Sequence, residues 1–233
     1  MPQTSPILTL KDVQYRWSGR AAFDLRIRAL NLQPAETVLV LGESGSGKST
    51  LLSLICGTIL AQSGQVICAG QDIAALSASQ RDKFRADHIG LIFQQFNLLP
   101  FASVQDNIAL PLQFAKQRRE RVGDMTAEAK RLCQDLGLPD EVLTARAGTL
   151  SVGQQQRVAA ARALIGTPPL IIADEPTSAL DAASQSTFLD LLFAQSQAHE
   201  TTVMMVSHDA RLSNQFDRVL HMSDICETAR GAL

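Results

Sequence analysis

The stretch TVLVLGESGSGKST, residues 37–50, sets two signals back to back. Residues 37–41 form a short unbroken apolar run, the pattern of a strand buried on both faces. Gly42, Glu43, Ser44, Gly45, Ser46, Gly47, Lys48 and Ser49 then satisfy G-x-x-x-x-G-K-S/T in full. The glycines let backbone N–H groups curl around phosphate oxygens, and a helix opening at the end of the loop turns its positive dipole end toward them. Lys48 is the residue to reach β- and γ-phosphates. The Ser49 hydroxyl is the ligand for Mg²⁺, and Thr50 belongs to the same phosphate-binding set. A glycine-rich turn that binds nothing is disfavoured, because the strand precedes the motif and the helical-looking TLLSLICGTIL follows it.

On the N-terminal side, residues 7–30 read as strands. Val13, Tyr15 and Trp17 alternate with polar neighbours, and Phe23, Leu25, Ile27 and Ala29 alternate with Asp24, Arg26 and Arg28. A period of two predicts a half-buried antiparallel sheet. On the C-terminal side, QVICAG (65–70) reads as a strand, SASQRDKFRAD (77–87) as a helix and HIGLIF (88–93) as a buried strand. Residues 95–150 read as helix broken at Pro100, Pro111, Gly123 and Pro139, with no strand-like run. Gly166 and Pro168–Pro169 stop a helix. LIIA (170–173) and TTVMMVS (201–207) are buried strands flanking a helix near 180–198. Strands alternating with helices predict a mostly parallel sheet. The fold class expected is α/β: a P-loop NTPase core, an N-terminal antiparallel β subdomain and an inserted helical subdomain at about 95–165. All of it lies in one domain spanning 1–233.

With 233 residues the chain has room for one large domain, or one domain with an insert. A net charge of −2 offers no basic surface to nucleic acid. Cys56, Cys68, Cys133 and Cys226 are scattered, so they read as reduced thiols rather than a disulfide frame or zinc site. The opening MPQTSPILTLKD lacks the basic-then-apolar pattern of a secretory signal. Apolar runs such as LLSLICGTIL are far short of a bilayer span. These features predict a soluble protein whose membrane role, if any, comes through a partner.

LIIADE, residues 170–175, is an apolar strand ending in two acids. Ligands gather at the carboxyl ends of such strands. Asp174 suits a Mg²⁺ shell and Glu175 the polarising of an attacking water, because phosphoryl transfer depends on positioning and charge stabilisation. A helix-capping acid is the bland reading of either residue alone.

Ser151 with Gln154 three residues on is, taken alone, a capping box. Beside the phosphate loop and the acidic strand end, LSVGQQQRVAAARAL (150–164) resembles the LSGGQ signature of the ABC ATPases, and ADEPTSALD (173–181) follows at that family's distance. The resemblance covers essentially the whole chain. It implies ATP and Mg²⁺ as bound species and ATP hydrolysis as the reaction. It also implies a head-to-tail dimer in which Ser151, Gly153 and Gln154 of one copy face the γ-phosphate held by the other. Trp17 resembles the aromatic that stacks on adenine. Gln94 resembles the glutamine that senses Mg²⁺ or water and takes part in catalysis. Asp181 resembles the acid at the dimer seam, and His208 the catalytic switch histidine on the γ-phosphate. Val152 departs from the family's glycine. Ordinary helix-start angles at Val152, with Gly153 meeting the need for close approach, keep the site active. His88, His199 and His221 read as structural.

In such transporters FQQFNLLPFASVQDNIALPL (93–112) corresponds to the region that docks a short helix of the membrane partner. Its wording resembles most the lipoprotein-releasing, macrolide-efflux and cell-division branch. That branch implies an integral membrane permease subunit as partner, export or lipoprotein, peptide or drug handling, and no nucleic acid. It implies a place on the cytoplasmic face of the inner membrane, peripheral through the permease. The chain ends soon after His208, which leaves no room for the regulatory domain common in sugar importers. The rival readings are a regulatory or non-transport cassette with little turnover, and an unrelated P-loop kinase or GTPase, which would lack residues 150–157.

Overall fold

The structure, a computed structural model, describes residues 5–17 and 23–230. Residues 18–22, inside the stretch read as strands, and the first four residues of the opening segment lie outside that description. The first elements are β1 (Leu8–Trp17), β2 (Phe23–Leu32), β3 (Thr37–Leu41), α1 (Lys48–Ile55), β4 (Ser63–Cys68), β5 (Gln71–Asp72), α2 (Ala78–His88) and β6 (Ile89–Ile92). Four helices follow: α3 (Val104–Ala109), α4 (Lys116–Arg121), α5 (Met125–Asp135) and α6 (Val152–Leu164). The chain continues through β7 (Leu170–Asp174), α7 (Ala182–Ala198), β8 (Thr202–Ser207), β9 (Arg218–His221), α8 (Met222–Ile225) and β10 (Cys226–Arg230). It forms two compact units, one of Met1–Arg85 with Met204–Leu233 and one of Ala86–Val203.

The first unit holds an antiparallel sheet of five strands in the order β10-β2-β1-β4-β5. It also holds the parallel pair β3–β9, in which Val38 faces Arg218 and Leu41 faces His221. Residues 38–41 of β3 are buried, as an unbroken apolar strand requires. The alternation in β1 and β2 changes phase part-way. Leu8, Leu10 and Val13 are buried on β1, and Leu25, Ile27, Leu30 and Leu32 on β2. Ala29, read as buried with Ile27, is instead exposed. The cause is a bulge: Asp12 takes a left-handed φ of 50°, and the register of β1 against β4 shifts between Lys11 and Gln14. Lys11 faces Ala29 across the pair, so both strands turn over at one point. Gly64 allows the bulge, since a Cβ there would collide with the carbonyls of Lys11 and Asp12. The apolar run after the phosphate loop is helical only to Ile55, ahead of Gly57 at φ 64°.

The second unit holds the parallel pair β6–β7, with Ile89 facing Leu170 and Ile92 facing Ala173. Between these strands the chain is helical, and no strand occurs at 95–165 among the described residues. The alanines of α6 (Ala159, Ala160, Ala161 and Ala163) are buried. They bring the helix so close to β6 that a Cβ at Gly90 would strike the Ala163 carbonyl. The C-terminal end of α6 is held by Arg118, which is 1% exposed. Its guanidinium donates to the carbonyls of Ile165 (2.8 Å from Nε) and Ala163 (2.9 Å from Nη2). A buried cation at a helix C-terminus answers both orphan carbonyls and the negative dipole end. Burial, with Arg121 nearby, lowers the Arg118 pKa to about 10, so the group stays charged at neutral pH. Arg118→Ala leaves those carbonyls unpaired at about 1–3 kcal/mol each. The expected result is a clear fall in melting temperature, read by circular dichroism. No helix among the described residues is long and apolar enough to cross a membrane.

Candidate functional site

In the first unit the phosphate loop leaves β3 at Gly42, whose N–H donates to the Ser207 carbonyl at 3.1 Å. A Cβ on Gly42 would lie 2.5 Å from Ser46 Oγ and 2.7 Å from Met222 Cγ, so only glycine fits. Gly45 and Gly47 take left-handed φ values of 77° and 101°. Lys48 Nζ folds back over the loop and donates to the Gly42 carbonyl (2.6 Å) and the Glu43 carbonyl (3.1 Å). Helix α1 opens on Gly47 with no side-chain cap and no acid in its first turn. Among the described residues, Ser46 Oγ is buried without a hydrogen-bond partner. A helix start without a capping side chain, a lysine and an unsatisfied hydroxyl in one loop fit an anion such as a polyphosphate.

Beside the same loop, Trp17 Nε1 donates to Thr50 Oγ1 at 3.2 Å. Tyr15 stands edge-on to the indole, with ring centroids 5.2 Å apart. Trp17 is 43% exposed, so it is no core residue and offers an open ring face. A cavity of about 480 Å³ is lined by Gly42, Glu43, Ser46 and His208, with His221 and Met222. His208 thus lies with the phosphate loop. His221, read from sequence as structural, shares the cavity.

In the second unit, Ser151 caps α6 from extended angles (φ −62°, ψ 158°). Its Oγ accepts from the Gln154 N–H (3.3 Å), and Gln154 Oε1 accepts from the Ser151 N–H (3.0 Å). The capping box read from the sequence is formed on both arms. Val152 is the first helical residue and does not take a left-handed φ, so valine is unstrained there. Around a Cβ position on Gly153 there is open space to 4 Å.

Asp174 ends β7, and Glu175 follows at φ 43°, an uncommon conformation for a side-chain-bearing residue. The Glu175 carbonyl accepts from the Ser178 N–H at 3.2 Å. Two buried glutamines hold this turn: Gln156 donates to the Pro176 carbonyl (2.9 Å) and Gln185 to the Thr177 carbonyl (3.0 Å). Asp181 caps α7, accepting from the N–H (3.0 Å) and hydroxyl (2.8 Å) of Ser184. These hydrogen bonds, the backbone one first, hold its carboxyl below the usual carboxylate range. Gln94 lies exposed in a turn closed by the Phe96 N–H on the Phe93 carbonyl at 2.9 Å. Phe96 and Asn97 follow in left-handed conformation, at φ 58° and 49°. Gln156, Gln185 and Arg162, not singled out from the sequence, are all buried polar groups of this unit. The signal available was polar residues on the inner faces of two helices.

The family model described as "ABC transporter" matches residues 25–178. The chain belongs to the ABC transporter family. A lipoprotein-releasing system ATP-binding protein, LolD, of Syntrophotalea carbinolica is 39% identical over 198 residues, covering 84% of each chain. A macrolide export ATP-binding/permease protein, MacB, of Rhodopirellula baltica is 39% identical over 195 residues. The match takes in 84% of this chain, which spans only 28% of that relative's length. Among solved structures, a dimeric post-hydrolysis state of the ATP-binding cassette MJ0796 bound to ADP and Pi superposes with a TM-score of 0.79. It is 32% identical, with 97% of this chain and 100% of that one covered. The ABC ATPase fold expected from residues 37–50 and 150–164 is the fold of this chain.

Proposed function

We propose that this member of the ABC transporter family binds and hydrolyses ATP as one of two identical copies joined head to tail, and drives a separate permease from the cytoplasmic face of the membrane. Residues 1–233 act as one cassette, with about 95–165 as its helical subdomain. The observation that carries the reading is the phosphate loop. A complete motif, a helix start without a capping side chain and an inward-folded Lys48 together make a seat for a triphosphate. In that seat Gly42, Glu43, Ser44, Gly45, Ser46, Gly47, Lys48, Ser49 and Thr50 hold the phosphates, and the ring of Trp17 covers adenine. Mg²⁺, when bound, neutralises charge on the phosphates, and Ser49, Asp174 and Gln94 have the oxygen donors it prefers. Glu175 polarises the water, and His208 reads the γ-phosphate.

Dimerisation is supported by the tip of α6. The capping box takes the N–H groups of Ser151 and Gln154 but leaves those of Val152 and Gly153 with no acceptor within the helix, and the space beside Gly153 is open, so this helix start can still receive an anion held by another molecule. Asp181 lies at that seam. Moving such a pair from mostly open to mostly closed takes about 5.5 kcal/mol of differential affinity. A few charge-assisted hydrogen bonds, at about 1.5–3 kcal/mol each, supply it. The similarity to lipoprotein-releasing and macrolide-export proteins supports export or lipoprotein handling as the work driven.

Mixing Gly153→Asp chains with Glu175→Gln chains tests the shared site. The heterodimer keeps one composite site with an intact signature. With ATP, a tagged Gly153→Asp chain should move into the dimer peak on a sizing column once Glu175→Gln chains are added, where alone it stays monomeric. No gain on mixing counts against two copies sharing each site.

A further inference from the structure

We infer that α6 is a strut whose buried side chains Gln156 and Arg162 are positioning residues, one fixing the turn of Glu175 and the other the turn of Gln94. The inference rests on the proposed ATPase reading for its functional consequence, and on geometry for the tie itself. Arg162 is 7% exposed and donates from Nη1 to the Asn97 carbonyl at 2.7 Å and from Nη2 to the Phe96 carbonyl at 2.5 Å. Those two residues are the left-handed pair that leaves the Gln94 turn. Holding two consecutive non-glycine residues in that region needs an outside tie, because each costs about 1–3 kcal/mol by itself. A planar guanidinium suits the task, because its forked donors sit at a fixed separation, whereas the donors of a lysine rotate at the end of a flexible stem.

The segment is pinned a second time a little further on. Asn107, fully buried, accepts from the Leu99 N–H (2.7 Å) and donates to the Leu99 carbonyl (3.1 Å). At the other arm, Gln156 is 1% exposed and donates to the carbonyl of Pro176, next to the left-handed Glu175. Gln156 and Arg162 lie six residues apart on one helix. That helix is fixed along its length: capped by Ser151, seated against Gly90 and clamped by Arg118. A displacement at the Ser151 tip is therefore felt at both turns through α6, in addition to the β6–β7 pairing that ends just before each of them.

The test uses Arg162→Lys and Gln156→Met in the full chain, with Arg162→Gln and Gln156→Asn as substitutes where either does not fold. Hydrogen exchange is followed on peptides covering 93–99 and 174–181, beside ATP turnover and the affinity for a fluorescent ATP analogue. Arg162→Lys should speed exchange about tenfold at 93–99 alone, and Gln156→Met at 174–181 alone, the loss of one buried hydrogen bond each. Turnover should fall at least about fivefold in both, with nucleotide affinity within about twofold of wild type, a split that general loosening does not give. Unchanged exchange at the named turn, or equal acceleration across the whole unit, overturns the strut. Turnover kept at the wild-type rate while the named turn is loosened overturns the positioning role. Gln94→Ala separates the two levels: if it leaves turnover untouched, the role of Gln94 fails, and local exchange still decides the strut.

Discussion

Glu175→Gln is expected to lower ATP turnover by about a thousandfold while ATP still binds, so that the protein accumulates as a dimer on a sizing column. The substitution is isosteric, so its effect is chemical. A carboxylate accepts the proton of an attacking water and orients its lone pair, and a neutral amide does neither to a useful degree. General-base contributions of about a hundredfold to ten-thousandfold bracket the loss. The backbone at this position is fixed by groups other than the substituted one: the Ser178 N–H, Gln156 and Gln185 all hold carbonyls of the same turn. The left-handed φ of 43° at Glu175 is equally available to glutamine. The substitution leaves the phosphate loop unaltered, so closure should still proceed while the step that reopens the dimer is lost. A single-turnover assay with radiolabelled ATP measures the chemical step directly. Turnover at the wild-type rate would remove Glu175 from the chemistry.

Residues 37–55 are legible in the sequence because three independent rules agree there. The apolar run specifies a strand buried on both faces, the glycines specify a loop with left-handed positions, and the run after Lys48 specifies a helix start. The capping box at Ser151 is legible for the same reason, since Ser and Gln at that spacing have one mutual geometry. Other features depend on partners that periodicity does not encode. The phase change near Ala29 follows from the Asp12 bulge in the neighbouring strand, and nothing in the Phe23–Ala29 alternation announces it. β9, α8 and β10 carry no periodic signal in the sequence, because each is only four or five residues long and of mixed polarity. Gln156 and Arg162 look like any polar residues of a helix. Their meaning appears only when Pro176, Phe96 and Asn97, distant in sequence, turn carbonyl oxygens toward them. Trp17 is the opposite case. The alternation of β1 suggests a sheet position, and in the structure its ring is half-exposed rather than packed in the core.

Lys48→Ala should weaken ATP binding by about a hundredfold, the second large effect. Lys48 is 8% exposed and already lies within its loop, on the carbonyls of Gly42 and Glu43. A flexible side chain held there pays little ordering entropy when a phosphate arrives. Each charge-assisted hydrogen bond to a phosphate oxygen, at about 1.5–3 kcal/mol, converts to a factor of about ten to a hundred and fifty in affinity. Removing the side chain deletes those bonds and a positive charge facing three or four negative ones. The fold tolerates the change better than the ligand does: alanine is the best helix former, and Lys48 is the first residue of α1. A melting curve close to wild type, together with the lost affinity, separates a binding defect from unfolding. Trp17 is the sole tryptophan of the chain, and it stands beside Thr50 at the start of the same helix, so its fluorescence reports nucleotide arrival without a label. Titration of wild type with ATP should change that emission, and titration of Lys48→Ala should need about a hundredfold more ATP for the same change. An unshifted midpoint would mean that the phosphates are held elsewhere, and the loop at 42–50 would lose its assigned role.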